Sequence, residues 1–195
     1  MTDRLSQQFA FLQEADRLKT VLRASRLADG SRHENTAEHS WHVTLFAMVL
    51  ADQAPAGVDL NRVLRMLILH DLVEIDTGDV PLHFGDGTAH DAQTEAETRA
   101  AERLFGLLPD DQRDAFLDLW LEFEASTTAD AMFAKSLDRL PPVLLNMANG
   151  GGSWTEYDVT LAQFDARVGT KVSRTLPALW TWLRARALPF FAGRA

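Results

Sequence analysis

The sequence predicts a single all-α domain, and three observations support that class. Nearly every segment repeats its apolar residues with the 3.6-residue period of a helix, and almost none alternates as a strand does. Capping and breaking residues divide the chain into pieces of helical length. With 195 residues and no repeat or linker, the chain is long enough to bury one substantial core. We therefore expect one domain over residues 1–195.

The predicted helices follow one another along the whole chain. They cover residues 5–26, 36–54, 59–75, 91–108, 110–126, 128–148, 157–168 and 175–187. Thr36, Asp59 and Thr128 are candidate N-caps, because their side-chain oxygens can accept hydrogen bonds from the first backbone amides of a helix. Segment 79–90 has no clear period and follows a group of carboxylates, so we expect it to form a wall or lid of a site.

The composition excludes several classes of protein. A content of 46% hydrophobic and 24% charged residues is typical of a soluble globular protein. The absence of cysteine excludes disulfides and thiolate catalysis and fits a reducing compartment, so a cytoplasmic location is expected. There is no secretory signal and no bilayer-spanning stretch, so no membrane association is expected. The net charge of -9 argues against nucleic-acid polymers but allows a small phosphorylated ligand in a local basic pocket.

The stretch LILHDLVEIDTGDV, residues 67–80, concentrates charge at the end of an apolar helix. His70 and Asp71 are adjacent, and the further carboxylates include Glu74 and Asp79. Buried carboxylates are costly unless they are paired, hydrogen-bonded or bound to a metal. This stretch is therefore a candidate metal-binding or catalytic site.

Two residues elsewhere in the sequence could complete a metal site. His39 lies near the start of an otherwise apolar helix in ENTAEHSWHV, and Asp138 lies among leucines in FAKSLDRLPPVLLNM. Taken alone, His39 could be a capping or surface residue, and Asp138 could be half of an ordinary ion pair. With His70 and Asp71 they supply two imidazoles and two carboxylates, which suit a divalent ion such as Mn²⁺, Fe²⁺, Co²⁺, Ni²⁺ or Zn²⁺. Such a site would keep positions open for water and substrate.

The order of these residues resembles that of the HD-domain metal-dependent phosphohydrolase superfamily. The matching segments are AEHSWH, LILHDLVEIDTGD and AKSLDRL, and the pattern HDxxExxxGD is much more specific than the HD pair alone. Within the superfamily, the chain is most similar to the small HD proteins that include 5'-deoxynucleotidases, over about residues 17–154. The resemblance implies an all-α HD-domain helical bundle, with the metal site between helices and the C-terminal helices packed on the core.

The resemblance also implies one divalent ion, which could be Mn, Co, Fe, Ni, Zn or Mg. Four residues match the metal ligands of the family: His39, His70, Asp71 and Asp138. His83 and His90 lie where two-metal members of the superfamily carry further ligands. Because both fall in an apparent loop, whereas those members place them on helices, a single ion is predicted.

Three further residues take roles that the resemblance implies. Glu74 follows Asp71 by three residues, and this position acts in acid–base catalysis in the resembling nucleotidases. Asp79 matches a substrate-contacting residue and is also a catalytic candidate, and Arg23 matches a substrate-contacting arginine. The family has a tryptophan after this arginine that packs on the sugar, whereas this chain has Ala24. We therefore expect weaker discrimination between ribose and deoxyribose, or a different leaving group.

These features predict a divalent-metal-dependent phosphohydrolase. A bound ion lowers the pKa of its water and polarises a phosphoryl oxygen, and nucleoside 5'-monophosphates are the leading substrate class. Three alternatives stay open: an HD-fold ligand-binding or sensor protein with a structural metal, an HD hydrolase of another phosphorylated nucleotide, and a redox di-iron HD enzyme. A homodimer is expected, because the small HD hydrolases that this chain resembles form dimers.

Overall fold

Helices account for most of the structure, and the predicted all-α class is confirmed. The computed structural model describes residues 3–81 and 87–192, apart from the side chains of residues 87–91. The α-helices are α1 (Arg4–Ala15), α2 (Thr36–Val49), α3 (Leu60–Leu69), α4 (Glu74–Thr77), α5 (Gly87–Phe105), α6 (Asp110–Ala125), α7 (Ala129–Asp138), α8 (Leu140–Ala148), α9 (Ser153–Glu156), α10 (Leu161–Phe164), α11 (Thr170–Thr175) and α12 (Pro177–Ala187). Short 3-10 or π turns lie at Asp16–Thr20, Ala51–Gln53, His70–Val73, Asp165–Gly169 and Leu188–Phe191. None of the described helices is long and apolar enough to cross a membrane.

A small antiparallel sheet lies between α1 and α2, where a helix was predicted. Strand β1 (Leu22–Arg26) pairs with β2 (His33–Asn35), so the predicted helix 5–26 is wrong over its last five residues. Gly30 has φ of +71° and turns the chain between the two strands. The turn sequence around Gly30 brings the strands together, and their backbone hydrogen bonds outweigh the weak helical period of this stretch.

The core is centred on α3, which packs between neighbouring helices. Val63, Met66 and Leu67 on α3 are fully buried, and α3 contacts α2, α6 and α7. Later in the chain, α11 packs against both α7 and α12. The C-terminal helices thus lie against the helix that carries Asp138. This packing agrees with one HD domain over residues 1–195, which stays a prediction.

Two predicted helices are interrupted next to candidate site residues. The predicted helix 59–75 is divided into α3, a 3-10 turn and α4, and the predicted helix 128–148 is divided into α7 and α8. Pro141 lies in the first turn of α8. A proline is tolerated there, whereas inside a continuous helix it removes a backbone hydrogen bond and clashes with the preceding turn. His70 and Asp138 therefore both lie where a helix ends.

The helix ends show which predicted caps were right. Asp59 and Thr128 cap α3 and α7 as predicted, since each side chain accepts a hydrogen bond from a backbone amide in the first turn. In α2, however, the cap is Asn35 rather than Thr36. The Thr36 hydroxyl is therefore available for another partner. The predicted helix 157–168 is also wrong, because α10 covers only part of it and a π turn follows.

Candidate active site

Three buried side chains from distant parts of the chain meet in the interior. His39 comes from α2, His70 from the end of α3, and Asp138 from the end of α7. One potential ligand atom from each lies within 4.8 Å of the others. Asp138 Oδ1 is 3.0 Å from His39 Nε2 and 3.3 Å from His70 Nε2. The two imidazoles thus share one carboxylate oxygen, which is a compact arrangement for holding a cation.

Asp71 lies at the edge of the same cluster. Its Oδ1 is 3.0 Å from His70 Nε2, and its Oδ2 is 3.8 Å from His39 Nε2. His70 and Asp71 are consecutive, but the tight turn after α3 and their different side-chain lengths let both reach the cluster. The structure therefore brings together all four residues that were predicted as metal ligands.

The chemistry of the cluster fits a divalent ion. His70 Nδ1 lies 2.8 Å from the Leu67 carbonyl oxygen. Its Nε2 is buried and faces Asp71 Oδ1 at 3.0 Å and Asp138 Oδ1 at 3.3 Å, but neither contact has the geometry of a hydrogen bond. A histidine whose Nδ1–H donates to a carbonyl presents the lone pair of Nε2 to a metal. Burial alone lowers the pKa of His70, but Asp71 and Asp138 outweigh burial and raise this pKa to about 10. The surroundings of Nε2 therefore favour positive charge, which a divalent ion would supply.

His39 differs from His70 because a cationic residue lies near it. Burial, with a further contribution from Arg23, lowers the pKa of His39 to about 4, so the imidazole is neutral at neutral pH. A neutral imidazole is the form that binds a metal. Its Nδ1 points away from Asp138 and lies 3.8 Å from Glu34 Oε2.

Glu34 was not predicted as a site residue. It lies in β2, is only 2% exposed, and its Oε2 is 3.9 Å from Arg23 Nε. Glu34 Oε2, Arg23 Nε and His39 Nδ1 are all buried without a hydrogen-bond partner in the described residues. Burial raises the pKa of Glu34 to about 7, although Arg23 opposes this shift. Because residues 33–35 lie outside every predicted helix, the sequence carried no signal that this glutamate is buried.

Arg23 lies among the carboxylates of the predicted site. Its Nη1 is 3.1 Å from Asp71 Oδ2, 3.1 Å from Asp79 Oδ1 and 3.7 Å from Glu74 Oε1. Its side chain is only 13% exposed, so these ion pairs are little screened by water. Burial lowers the pKa of Arg23, but the carboxylates outweigh burial and raise this pKa. Arg23 on β1 therefore links Asp71 to the two candidate catalytic acids.

Glu74 is held by a hydroxyl from another helix. Thr36 Oγ1 donates to Glu74 Oε2 at 2.8 Å, using the hydroxyl that does not cap α2. Burial and the nearby charge of Asp71 raise the pKa of Glu74 well above its ordinary value. Burial also raises the pKa of Asp79, while Arg23 opposes the shift. Asp76 instead lies outside the cluster and forms an ion pair with Arg103.

A cavity of about 290 Å³ adjoins the cluster, near the lower end of the range for small-molecule sites. It is lined by His70, Asp71, Glu74, Asp79 and Asp138 together with polar and apolar residues from several other elements. The position after Arg23 contributes only a methyl group, because the lining residue there is Ala24.

The described start of segment 79–90 forms part of the cavity wall, since Asp79, Val80 and Pro81 line it. Residues 82–86, and with them His83, lie outside the described residues. His90 belongs to α5, so its predicted place in a loop is wrong, but its side chain is not among those described. Whether either histidine joins the site was left open by the sequence, and the single ion stays a prediction.

Comparison with known proteins identifies similar chains. The human 5'-deoxynucleotidase HDDC2 is 29% identical over 135 residues, which cover 69% of this chain and 64% of the human protein. The 5'-deoxynucleotidase of Erwinia tasmaniensis is 32% identical over 137 residues, or 67% of this chain and 68% of that protein. The matched segments span less than two thirds of the human and Xenopus laevis proteins, 64% and 65% of their lengths.

A solved structure extends the similarity to nearly the whole chain. The crystal structure of a predicted metal-dependent phosphohydrolase from Magnetospirillum magnetotacticum MS-1 has a TM-score of 0.87 and 45% sequence identity. The match covers 96% of this chain and 95% of that one. The model of the HD domain family matches residues 15–180, which include every candidate site residue discussed above. This chain therefore belongs to the HD domain family.

Proposed function

We propose that this protein is a divalent-metal-dependent phosphohydrolase that cleaves the phosphate monoester of nucleoside 5'-monophosphates. The observation that carries the proposal is the buried cluster of His39, His70 and Asp138, which adjoins a cavity lined by the acids Glu74 and Asp79. The names of the relatives support it, since the human and Erwinia proteins are 5'-deoxynucleotidases and the Magnetospirillum protein is a predicted metal-dependent phosphohydrolase.

In this proposal the metal is a single divalent ion, and its identity is for the experiment to decide among Mn, Co, Fe, Ni, Zn and Mg. Four residues would hold it: His39, His70, Asp71 and Asp138. When bound, such an ion activates a water and polarises a phosphoryl oxygen. The unpartnered Nε2 of His70 and the shared oxygen of Asp138 are the groups best prepared to receive it.

Glu74 is the proposed proton-transfer residue. Its carboxyl group lines the cavity beside Asp71 and is oriented by the Thr36 hydroxyl. Because its pKa is raised, it holds a proton more readily than an ordinary glutamate and can give it to the leaving oxygen of the ester. A fully ionised surface glutamate would do this poorly.

Asp79 and Arg23 are the proposed substrate-contacting residues, and Asp79 is also retained as a catalytic candidate. Both line the cavity, and the ion pair between them fixes their positions. Ala24 and Ser25 line the cavity next to Arg23, where the resemblance leads us to expect an aromatic ring packed on the sugar. A substrate sugar would therefore meet less steric restriction here, which favours acceptance of both ribose and deoxyribose.

The sensor alternative is less well supported by the site. A structural metal site is closed by its four protein ligands, whereas a catalytic one keeps an open position. Here the cluster borders a cavity whose lining includes further acids, among them Glu74 and Asp79 beside Asp71, which a structural ion does not need. Hydrolysis of another phosphorylated nucleotide uses the same groups, so only substrate tests separate it from the main proposal.

The remaining parts of the proposal concern partners and location. We propose a homodimer, supported by an exposed apolar stripe on α2 that includes Trp41, Leu45 and Met48, which are 64%, 40% and 59% exposed. The net charge of -9 supports a small phosphorylated substrate rather than a nucleic-acid polymer. A cytoplasmic location is likewise a proposal. Light scattering of the purified protein tests the dimer, and a monomer at micromolar concentration would exclude it.

The proposed activity is tested by a phosphate-release screen. Ribo- and deoxyribonucleotides and sugar phosphates are supplied with Mn²⁺, Co²⁺, Fe²⁺, Ni²⁺, Zn²⁺ or Mg²⁺ in turn. Glu74→Gln preserves the shape of the side chain but cannot transfer the proton, so kcat should fall about 100- to 10,000-fold while metal binding is kept. Asp76→Asn is the matched control, because this acid lies two residues away and pairs with Arg103 outside the cavity.

Two outcomes would contradict the proposal in different ways. If no monophosphate is cleaved with any ion but a triphosphate or cyclic nucleotide is, the nucleotidase assignment fails and the broader phosphohydrolase proposal survives. If Glu74→Gln retains full activity, Glu74 is not the proton-transfer residue.

A further inference from the structure

Besides Arg23, three cationic side chains line the described part of the cavity: Lys135, Arg139 and Arg167. Lys135 lies near the end of α7, and Arg139 directly follows that helix. A spacing of four residues places the two side chains on the same side of the helical turn. Both flank Asp138, the acid that the two imidazoles share. This part of the cavity lining therefore carries positive charge beside the proposed metal cluster.

Arg139 is joined to the cluster through one carboxylate group. Its Nη1 lies 3.2 Å from Asp138 Oδ2, while Asp138 Oδ1 faces His39 and His70. Its Nε is buried and has no hydrogen-bond partner in the described structure. A buried N–H without an acceptor is unfavourable by about 1–3 kcal/mol. Because this Nε is covered by protein, a ligand in the cavity reaches Arg139 through the exposed part of its side chain, which is 22% exposed.

Lys135 is held close to the same cluster. Its Nζ lies 2.9 Å from Glu124 Oε2 and 4.3 Å from the centre of the Phe123 ring. The Phe123 ring in turn packs on His70, with ring centres 4.9 Å apart. The ammonium group, whose side chain is 13% exposed, is thus fixed one aromatic ring away from a proposed metal ligand.

Positive side chains gather around α7, and each of the two in the cavity pairs with one carboxylate: Lys135 with Glu124, and Arg139 with Asp138. The pKa of Lys171 is lowered, first by its partial burial and then by the nearby positive charges of Lys135, Arg139 and Arg174.

Arg23 lies in a more negative environment. Its single guanidinium faces the carboxylates of Asp71, Glu74, Asp79 and Glu34. An incoming anion therefore meets less negative charge at Arg139 than at Arg23.

We propose that Arg139, assisted by Lys135, binds the phosphoryl oxygens of the substrate. The ligand class is a phosphate monoester dianion or the inorganic phosphate released from it, so this inference rests on the proposed function. The planar guanidinium can donate more than one N–H to phosphate oxygens at once, whereas a lysine acts as a point charge. In this arrangement Arg139 contacts the phosphoryl group, and Arg23, besides its proposed contact with the substrate, orders the carboxylates Asp71, Glu74 and Asp79.

The probe is inorganic phosphate, titrated calorimetrically into the full-length protein in the presence of Mn²⁺. Arg139→Gln should weaken phosphate binding about 10- to 100-fold, the change expected for loss of hydrogen bonds to a charged group. Arg139→Lys keeps the charge without the planar group and should give an intermediate affinity. Lys135→Gln should have a smaller effect in the same direction. Manganese binding and thermal unfolding are measured for each variant to show that the cluster and fold remain.

The matched control is Arg174→Gln. Arg174 belongs to the same group of positive charges but is exposed, contacts Met132, and is not among the residues lining the cavity. Phosphate affinity should therefore change little in this variant. An equal loss of phosphate affinity in Arg174→Gln and Arg139→Gln would show that the effect comes from net charge and not from a specific contact. That result would overturn the assignment.

The experiment separates this inference from the proposed function. Wild-type protein that cleaves monophosphates while Arg139→Gln and Lys135→Gln both bind phosphate normally would overturn the inference and leave the function standing. Protein that binds phosphate through Arg139 but cleaves no ester would support the inference and remove the function. Failure of the wild type to bind phosphate at all would also overturn the inference.

Discussion

Two buried regions of the molecule differ in their side chains: one is aromatic and closely packed, and the other is polar and charged. The aromatic cluster of the C-terminal region joins Trp154, Phe164, Trp180 and Phe191 with ring centres 4.9 to 5.3 Å apart. The packing there is so close that a Cβ atom added at Gly169 would lie 2.6 Å from the Trp180 ring. The second region is the group of His39, His70, Asp71 and Asp138, which is the proposed metal site and is called the metal cluster below. It contains buried polar atoms without a hydrogen bond, including His70 Nε2 and His39 Nδ1.

This difference separates stability from function. Apolar rings in contact stabilise the fold through burial and dispersion, without needing any ligand. Unpartnered polar atoms and crowded carboxylates reduce stability until something binds them. The aromatic cluster is therefore expected to determine how stable the protein is, and the metal cluster to determine how much that stability depends on a ligand.

The largest expected effect comes from the aromatic cluster. Phe164 is fully buried and is not among the residues that line the cavity. Phe164→Ala should lower the free energy of unfolding by about 3–5 kcal/mol, because it removes a large ring and leaves a void. Urea denaturation measures this loss. The folded variant should still be stabilised by Mn²⁺ as much as the wild type is, and loss of that response would show that the two regions are coupled.

The next effect concerns the metal cluster. An ion that binds only the folded state at about 100 times its Kd adds about 2.7 kcal/mol of stability. Mn²⁺ or Co²⁺ should therefore raise the Tm of the wild type, and Asp138→Asn should abolish this rise because it removes the shared carboxylate charge.

A nearby substitution controls for the Asp138 test. Asp130→Asn changes an acid of the same helix that accepts from the Asp59 amide far from the imidazoles, so it should keep the full rise in Tm. A normal metal response in Asp138→Asn would remove Asp138 from the ligand set.

A smaller effect is expected at Glu34. Its carboxylate lies 3.8 Å from His39 Nδ1, beyond hydrogen-bond distance, so it acts on this imidazole through charge alone. Glu34→Gln should therefore weaken metal binding by less than about 10-fold, below the usual effect of removing a group that is hydrogen-bonded to a metal ligand. Competition with a fluorescent chelator measures the affinity. Glu38→Gln alters an acid that pairs with Arg32 at the start of α2 and should leave metal affinity unchanged; equal losses in both variants would point to a general effect on α2.

The smallest effect concerns an ion pair outside both regions. Arg62 donates a hydrogen bond to Glu122, and this bond lowers the pKa of Glu122. Partial burial acts in the opposite direction but is the weaker influence. A carboxyl whose folded-state pKa is lowered stabilises the fold above its unfolded pKa of about 4.3 and loses that contribution as pH falls through the folded value.

Arg62→Met tests this ion pair. The variant should lose less than about 1 kcal/mol at pH 7, and the difference from the wild type should shrink below about pH 4. Thermal unfolding across this range measures it. A difference in stability that grows as the pH falls would contradict the predicted direction of the effect.

The parts of the site that were predicted from the sequence are those whose residue types are unusual in their surroundings. His70 and Asp71 end an apolar helix, and His39 and Asp138 lie among leucines and other apolar residues, so burial and chemistry could be inferred together. Glu34 gave no such signal, because its burial depends on a hairpin that the helical period of residues 22–26 concealed.

Arg139 shows a different limit. In the sequence it was only a possible ion-pair partner of Asp138. Its orientation depends on the interruption between α7 and α8, and the proline pair at residues 141–142 does not by itself determine where the Arg139 side chain will point. The fold class was predictable because hydrophobic period is a property of each segment, whereas the orientation of Arg139 depends on contacts between segments.

The metal cluster also has a consequence for the order of folding. His39 and Asp138 are 99 positions apart, and Thr36 and Glu74 are 38 apart. No local segment can form these contacts, and closing the longer loop is less favourable than closing the shorter by about 0.8 kcal/mol of chain entropy. A partly folded chain that has not yet docked α7 lacks the shared carboxylate and cannot assemble the complete ligand set. Tight binding of the ion therefore reports that the α2, α3 and α7 segments have reached their final arrangement, which makes it a marker for the formation of these long-range contacts.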